Sequence, residues 1–312
     1  MENRAVIITG GGGFVGRHLI AELQATKAFD RIIVFDRNMA DFGPGVESYA
    51  LDITDIESKK ELIRKVQPTW VIHLAAIAGV GFSIEHPDIT RTINVFGTKS
   101  LLETTISASP ATKFLVISSA DIYGAVSSDP IPELSLASAR PRNPYAESKL
   151  EMEALIEKEF NDRCIRVRPF PHVGPGQQKG FVTADFASQI AAIEAGTSEP
   201  IISVGNLTAV RDFSDVRDVV RAYRLLLERG VVGEAYHVAS GVGRSIESVL
   251  TSLLAMSRVA IRTELDQSRM RPSDTPTVVG NAEKLKAATG WNPAIPFEQT
   301  LADVLNDWRN RK

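Results

Sequence analysis

Tyr145 and Lys149 stand four residues apart in the run Asn143-Pro144-Tyr145-Ala146-Glu147-Ser148-Lys149. That spacing puts both side chains on one face of a helix starting near the proline. An ammonium beside a phenol favours the phenolate, so a tyrosine pKa lowered from its usual ~10 is expected. A phenol tuned in this way can give or take the proton of a carbonyl/alcohol pair while a hydride moves at the carbon. The run Ser118-Ser119-Ala120-Asp121-Ile122-Tyr123-Gly124 directly follows an apolar strand pattern at 113–117. In an open α/β sheet that is the strand end where ligands bind. Ser119 there can hydrogen-bond the reacting oxygen and hold it against Tyr145.

A hydride chemistry needs a dinucleotide, and the first residues supply a place for one. Thr9-Gly10-Gly11-Gly12-Gly13-Phe14-Val15-Gly16 follows the first strand pattern and opens an amphipathic stretch. Gly10, Gly13 and Gly16 give a G-x-x-G-x-x-G spacing. Such a loop permits a tight turn, brings backbone N–H groups to a pyrophosphate and lets helix and strand pack closely. Asp36 closes the second strand pattern, where a carboxylate accepts from adenosine ribose hydroxyls and repels a 2′-phosphate. NAD is therefore expected ahead of NADP. Arg37 beside it can stack on adenine or meet a 2′-phosphate, which keeps NADP in play. Asp52 and Ile53, after a further short strand, either flank the adenine or form a helix N-cap region before Asp55.

The elements that must position these residues alternate along the first half. Short apolar runs at 5–8, 31–35, 70–74 and 113–117 read as buried strands, and 14–25, 55–66, 89–107 and 145–159 read as helices. Alternation of this kind predicts a Rossmann-like, doubly wound parallel sheet of the α/β class over residues 1–168. Beyond Arg168, proline and glycine become frequent and the elements shorten. Residues 169–312 are expected to form a smaller substrate-binding lobe, with segments near 215–239 returning to the first sheet.

Charge and composition narrow the partners. A net charge of −3 gives no general pull toward nucleic acid or anionic membrane. The five histidines and single cysteine show no metal-ligand spacing, so no metal is expected. That lone cysteine, Cys164, cannot form an internal disulfide, and no signal-peptide pattern opens the chain. A cytoplasmic protein is the expectation.

Taken in order, Gly10/Gly13/Gly16, Asp36, His73-Leu74-Ala75-Ala76, Asn94-Val95-Phe96-Gly97-Thr98, the Ser119 segment and Tyr145/Lys149 resemble the extended short-chain dehydrogenase/reductase family. The resemblance implies that Leu74, Ala75 and Ala76 line the cofactor with Phe14 and Val15. It implies that Asn94 supports the helix leading to the site, that Ser119 is catalytic, and that Lys149 holds the nicotinamide ribose. Dehydratases of this family commonly carry an acidic pair, or at least a glutamate, just after the Ser/Thr. Here those positions are Ala120 and Asp121, so dehydration is disfavoured.

The second half is most similar to the family's GDP-4-dehydro-6-deoxy-D-mannose reductases, over the stretches containing Val182, Arg211-Asp212-Phe213 and Arg271-Pro272-Ser273-Asp274. The resemblance implies a nucleotide-diphosphate sugar bound by Asp121, His172, Val182, Arg211 and Arg271. The two arginines are the planar donor forks suited to a diphosphate. One departure is Pro171, where the family usually has asparagine; proline offers neither the amide side chain nor a backbone donor. His172 beside it can donate or accept. The expected reaction is NAD(P)H-dependent reduction of a C4 ketone, most simply to GDP-D-rhamnose, with its C4 epimer GDP-6-deoxy-D-talose as the alternative product. A 4-epimerase with retained NAD would use the same residues. A non-catalytic cofactor sensor would have no need of Tyr145 and Lys149. A homodimer is expected through the 89–107 and 145–159 helices, which carry apolar Ile93, Phe96, Leu101, Leu102, Leu150, Met152, Leu155 and Ile156 on more than one face.

Overall fold

Seven strands, most of them buried along their length, pair into one parallel sheet in the computed structural model, which describes residues 4–126, 129–267 and 276–311. They are β1 (Ala5–Thr9), β2 (Arg31–Asp36), β3 (Val46–Ala50), β4 (Trp70–His73), β5 (Lys113–Ile117), β6 (Cys164–Pro169) and β7 (Ala235–Val238). The order across the sheet is β7-β6-β5-β4-β1-β2-β3. Chain progression reverses at β1, which pairs with β2 on one side and β4 on the other, in register Thr9 to Phe35 and Thr9 to His73. A crevice opens beyond the strand ends at such a reversal, and ligands of doubly wound sheets lie there.

The two faces of the sheet are covered by different helices. Leu19 and Leu23 of the helix Phe14–Thr26 pack with Val219, Tyr223 and Leu226 of the helix Val216–Arg229 against one face. Ile63, Leu101, Leu102, Met152 and Ile156 cover the other. Four residues expected to supply a subunit interface, Leu101, Leu102, Met152 and Ile156, are therefore core residues, at most 1% exposed. Two helices also differ in detail from expectation. The 55–66 stretch begins as a 3-10 helix, Ile53–Lys59, and becomes α-helical at Lys60–Val66. The 89–107 stretch is interrupted by a π-helical turn at Thr92–Gly97. Gly97 sits there because a Cβ would lie 2.9 Å from Ile53.

The helix Val216–Arg229 and β7 belong to the sheet, although they follow the first C-terminal elements in the chain. The other C-terminal elements surround a third apolar cluster, with Phe186, Ile190, Val249, Leu253, Leu301 and Val304 from three helices. Asp212, fully buried, ties this region together by accepting from Ser240 N, Gly241 N and Gly280 N. No described helix is long and apolar enough to cross a membrane.

Candidate active site

The turn after β1 is built by close backbone packing. Gly10 has φ +73°, and a Cβ there would lie 2.7 Å from Ala75 N. At Gly16 a Cβ would lie 2.6 Å from backbone atoms of Gly10 and Gly11. Helix Phe14–Thr26 then starts at Gly13 with no side chain capping it, so its first-turn N–H groups are left for an anion. Asp36 at the end of β2 accepts from Gly12 N at 2.9 Å and Asn38 N at 3.1 Å. Two backbone donors thus fix the carboxylate and leave it lone pairs for ribose hydroxyls. This arrangement fits the adenosine and pyrophosphate of a nicotinamide dinucleotide.

A cleft of about 1250 Å³ joins this loop to the C-terminal region. Single-ligand pockets usually span ~300–1000 Å³, so the cleft has room for a dinucleotide and a second ligand. Gly10, Gly13, Phe14, Val15, Gly16, Asp36, Arg37, Asp52, Ile53, Leu74, Ala75 and Ala76 line it, as do Ser119, Asp121, Tyr145, His172, Val182 and Arg211. Asp52 also caps the following 3-10 helix by accepting from Thr54 N, so the N-cap role is met while the residue remains on the cleft wall.

Two expected site residues, Asn94 and Lys149, do not line the cleft. Asn94, buried in the π-helical turn, is held back from the cleft by its amide bonds: Nδ2 donates to Ile77 O and Ser148 Oγ, and Oδ1 accepts from Ile77 N. It thereby joins the 74–78 loop to the Tyr145 helix. Lys149 is also buried behind the lining, with Nζ donating to Ile117 O at 2.7 Å. Arg271 lies outside the described residues.

The Tyr145 helix, Pro144–Glu159, begins with Asn143 Oδ1 accepting from Ala146 N and proline in its first turn. Tyr145 itself corrects the expectation of a lowered pKa. Burial first, then the Asp121 carboxyl, push its phenol well above the usual range, and a hydrogen bond with the Ser119 hydroxyl opposes them. Lys149 does not lower it because burial reduces the lysine's own pKa to about 8, so its charge is gone before the phenol would ionise, although the ammonium, donating to Ile117 O, is present at neutral pH. Ser119 Oγ accepts from Asp121 N at 3.1 Å and caps the 3-10 turn Ala120–Tyr123. Burial raises the Asp121 pKa and the Arg211 guanidinium opposes that rise.

Comparison with known proteins bears on what such a site does. Residues 7–304 match the family described as GDP-mannose 4,6 dehydratase. The chain belongs to this family. Its fold is that of an extended short-chain dehydrogenase/reductase, and it is an NAD(P)-dependent oxidoreductase type of enzyme. It is 35% identical to a GDP-6-deoxy-D-mannose reductase of Pseudomonas aeruginosa, over 98% of this chain and 97% of that protein. It is 29% identical to a GDP-6-deoxy-D-talose 4-dehydrogenase of Aggregatibacter actinomycetemcomitans, over 91% of each. A structure of RMD from Pseudomonas aeruginosa complexed with NADPH superposes with a TM-score of 0.84 at 33% identity, covering 99% of this chain and 100% of that one.

Within this family, the residues around the site carry features that local patterns did not reveal. His73 at the end of β4 bridges Thr9 Oγ1 at 2.7 Å and Thr98 Oγ1 at 2.8 Å, and burial lowers its pKa to about 3. A neutral imidazole thus joins the dinucleotide strand to the helix carrying Asn94. His172 places Nδ1 3.0 Å from Phe170 O, and its ring lies parallel to Phe14 at 6.2 Å between centroids. That carbonyl can only accept, so Nδ1 carries the proton. The loop after it is held from both sides, by His18 Nε2 on Pro175 O and by Asp307 Oδ2 on Gly176 N.

Proposed function

We propose that this protein reduces the C4 ketone of GDP-4-dehydro-6-deoxy-D-mannose, with NADH preferred, to give GDP-D-rhamnose. The observation that carries this reading is one continuous cleft holding the glycine loop, Asp36, the Ser119/Tyr145 pair and Arg211. The relative from Pseudomonas aeruginosa is named for the corresponding 6-deoxy-D-mannose product, which supports the assignment of sugar and base. Bound reduced cofactor supplies the hydride. Tyr145, fully protonated at neutral pH, gives its proton to the C4 oxygen and recovers one from solvent. Ser119 holds that oxygen, and the charged Lys149 one helical turn beyond Tyr145 favours the negative charge developing on it. Arg211 takes the diphosphate. Ala120 offers no second acid beside Ser119, which supports reduction over dehydration.

The test is incubation of purified protein with NADH and this 4-keto sugar nucleotide, following absorbance and identifying the product by NMR. One NADH consumed per GDP-D-rhamnose formed is expected. No oxidation of NADH or NADPH, together with interconversion of UDP-glucose and UDP-galactose, would make the protein an epimerase instead.

A further inference from the structure

Behind the cleft, side chains from four separate segments form a buried polar chain. Arg168 on β6 grips the Glu153 carboxylate from Nε at 2.9 and 3.1 Å and from Nη2 at 2.7 Å. The two side chains are 3% and 0% exposed. Nη1 of the same guanidinium donates to Tyr123 Oη at 2.7 Å and to Leu134 O at 2.8 Å. Tyr123 Oη in turn lies 2.6 Å from His237 Nε2, and His237 Nδ1 lies 3.0 Å from Asn281 O. A carbonyl only accepts, so Nδ1 carries the ring proton and Nε2 accepts from Tyr123. Burial keeps His237 neutral, with a pKa lowered to about 3. Every bond therefore has one direction, from Arg168 to Tyr123, then to His237 and Asn281, and the alternative tautomer would leave two acceptors facing each other.

A buried ion pair contributes little net stability over apolar residues of the same volume. What a bidentate fork provides is geometry. Glu153 lies on the Tyr145 helix, one turn beyond Lys149 and two beyond Tyr145. Tyr123 ends the 3-10 turn that Ser119 caps. On its far side that turn is walled by backbone: Gly124 has φ +63°, and a Cβ there would overlap Arg140 O, at 1.8 Å.

We propose that Arg168, with Glu153 and Tyr123, forms a positioning clamp that fixes the Ser119 turn against the Tyr145 helix and keeps Lys149 charged. This rests on Tyr145 being the proton donor of the proposed reduction. The groups facing Lys149 are Glu153 on its own helix, the neutral His73 on β4 and the Ile117 carbonyl on β5. Glu153 is the one anion among them, and its carboxylate favours the ammonium.

Two single variants of the full chain test the clamp. Tyr123→Phe leaves the Arg168–Glu153 pair intact and frees the Ser119 turn; kcat is expected to fall roughly 10- to 100-fold, the scale of a misplacement near 1 Å, with KM for both substrates within about twofold of wild type. Glu153→Gln is expected to move the alkaline limb of kcat to lower pH, because Lys149 loses its supporting anion. Amide hydrogen exchange without substrate gives an independent reading: Tyr123→Phe should speed exchange in 119–124 and leave β1 and β2 unchanged. Near-normal kcat in Tyr123→Phe with an unmoved limb in Glu153→Gln overturns the proposal. So does a lowered Tm with unchanged exchange in 119–124, which would make the network purely structural. If the wild-type enzyme turns over no keto sugar, the reductase reading fails separately, and the exchange comparison still decides the clamp.

Discussion

A phenol that acts as an acid must keep its proton until the carbonyl oxygen claims it. Around Tyr145, burial and the Asp121 carboxyl favour the protonated phenol, which suits the proposed role as proton donor in reduction. Tyr145→Phe is expected to lower kcat by ~10²–10⁴, the usual range for a lost general acid, while cofactor Kd measured by fluorescence quenching stays near wild type. A cofactor Kd that rises in step with the activity loss would instead make Tyr145 a binding residue. The pH profile follows from Lys149. Its pKa is lowered to about 8, so the ammonium is present below that value and lost as pH rises through it. Reduction should therefore be level from pH 6 to near 8 and decline above, with no contribution from Tyr145, whose pKa lies beyond the usual phenol range. A profile rising through pH 8 would show that neutral Lys149 is the active form. At the far end of the cleft, Asp36 is the residue proposed to select NADH over NADPH. Its carboxylate is pinned by Gly12 and Asn38, and cannot swing away from a 2′-phosphate without losing both donors. Each ~1.4 kcal/mol of repulsion is a factor of ten, so kcat/KM for NADH should exceed that for NADPH by roughly tenfold or more. Asp36→Asn should narrow the gap. If the native enzyme favours NADPH, the 2′-phosphate is met by Arg37.

Elements differ sharply in how visible they are in the chain. The β1 turn announces itself because glycine spacing, a strand before and a helix after are all local. Its consequence is testable: in Gly16→Ala the new methyl would meet backbone of Gly10 and Gly11 at 2.6 Å, which no rotamer can relieve. Cofactor affinity is expected to fall by tenfold or more, an estimate scaled from ~1.4 kcal/mol of strain, with a measurable drop in Tm. The corresponding change at Gly43, where a Cβ would meet nothing within 4 Å but φ is +82°, should cost Tm through backbone strain and leave cofactor affinity unaltered. Strands and the Tyr145 helix are legible for the same reason, since period and capping residues lie within a few positions of one another. What the chain conceals is whatever joins distant segments. The π-helical turn at Thr92–Gly97 falls inside a stretch that reads as one helix, and its Gly97 is packed against Ile53 from a distant segment. Asn94 could be marked as important, but its partners Ile77 and Ser148 stand 17 and 54 residues away. The Tyr145 pKa departs from expectation for the same reason: Lys149 is near in sequence, whereas burial and the Asp121 carboxyl act only in the folded chain. Local spacing finds reactive residues, and tertiary placement sets their charge.

At the scale of the whole molecule, the surface that remains apolar after folding is not the one composition suggests. Half of the residues proposed for self-association are spent in the core, among them Leu101, Leu102, Met152 and Ile156. Phe96 stays 48% exposed, and Phe82, Ile84 and Ile89 on adjoining short helices are 42%, 61% and 49% exposed. These elements pack on the Tyr145 helix, and Arg91 ties them to it by donating from Nε to Glu151 at 2.7 Å while its guanidinium lies 4.8 Å from the Phe96 ring centre. Four large apolar side chains on one rigid support are costly to leave in water, at roughly 1.5–3 kcal/mol for each fully buried side chain. A two-fold pairing would cover them with the same residues of a second copy. A homodimer is therefore expected, with its interface on residues 82–96 and the exposed face of the 144–159 helix. Light scattering at micromolar concentration should give twice the chain mass. Ile84→Glu combined with Phe96→Glu should give a monomer that retains its far-UV circular dichroism and cofactor binding, because neither residue lines the cleft. A wild-type monomer, or a dimer indifferent to both charges, would place any interface elsewhere. Since the same helix carries Tyr145 at its first turn and Glu151 beside this patch, pairing would also brace the helix that positions the proposed proton donor.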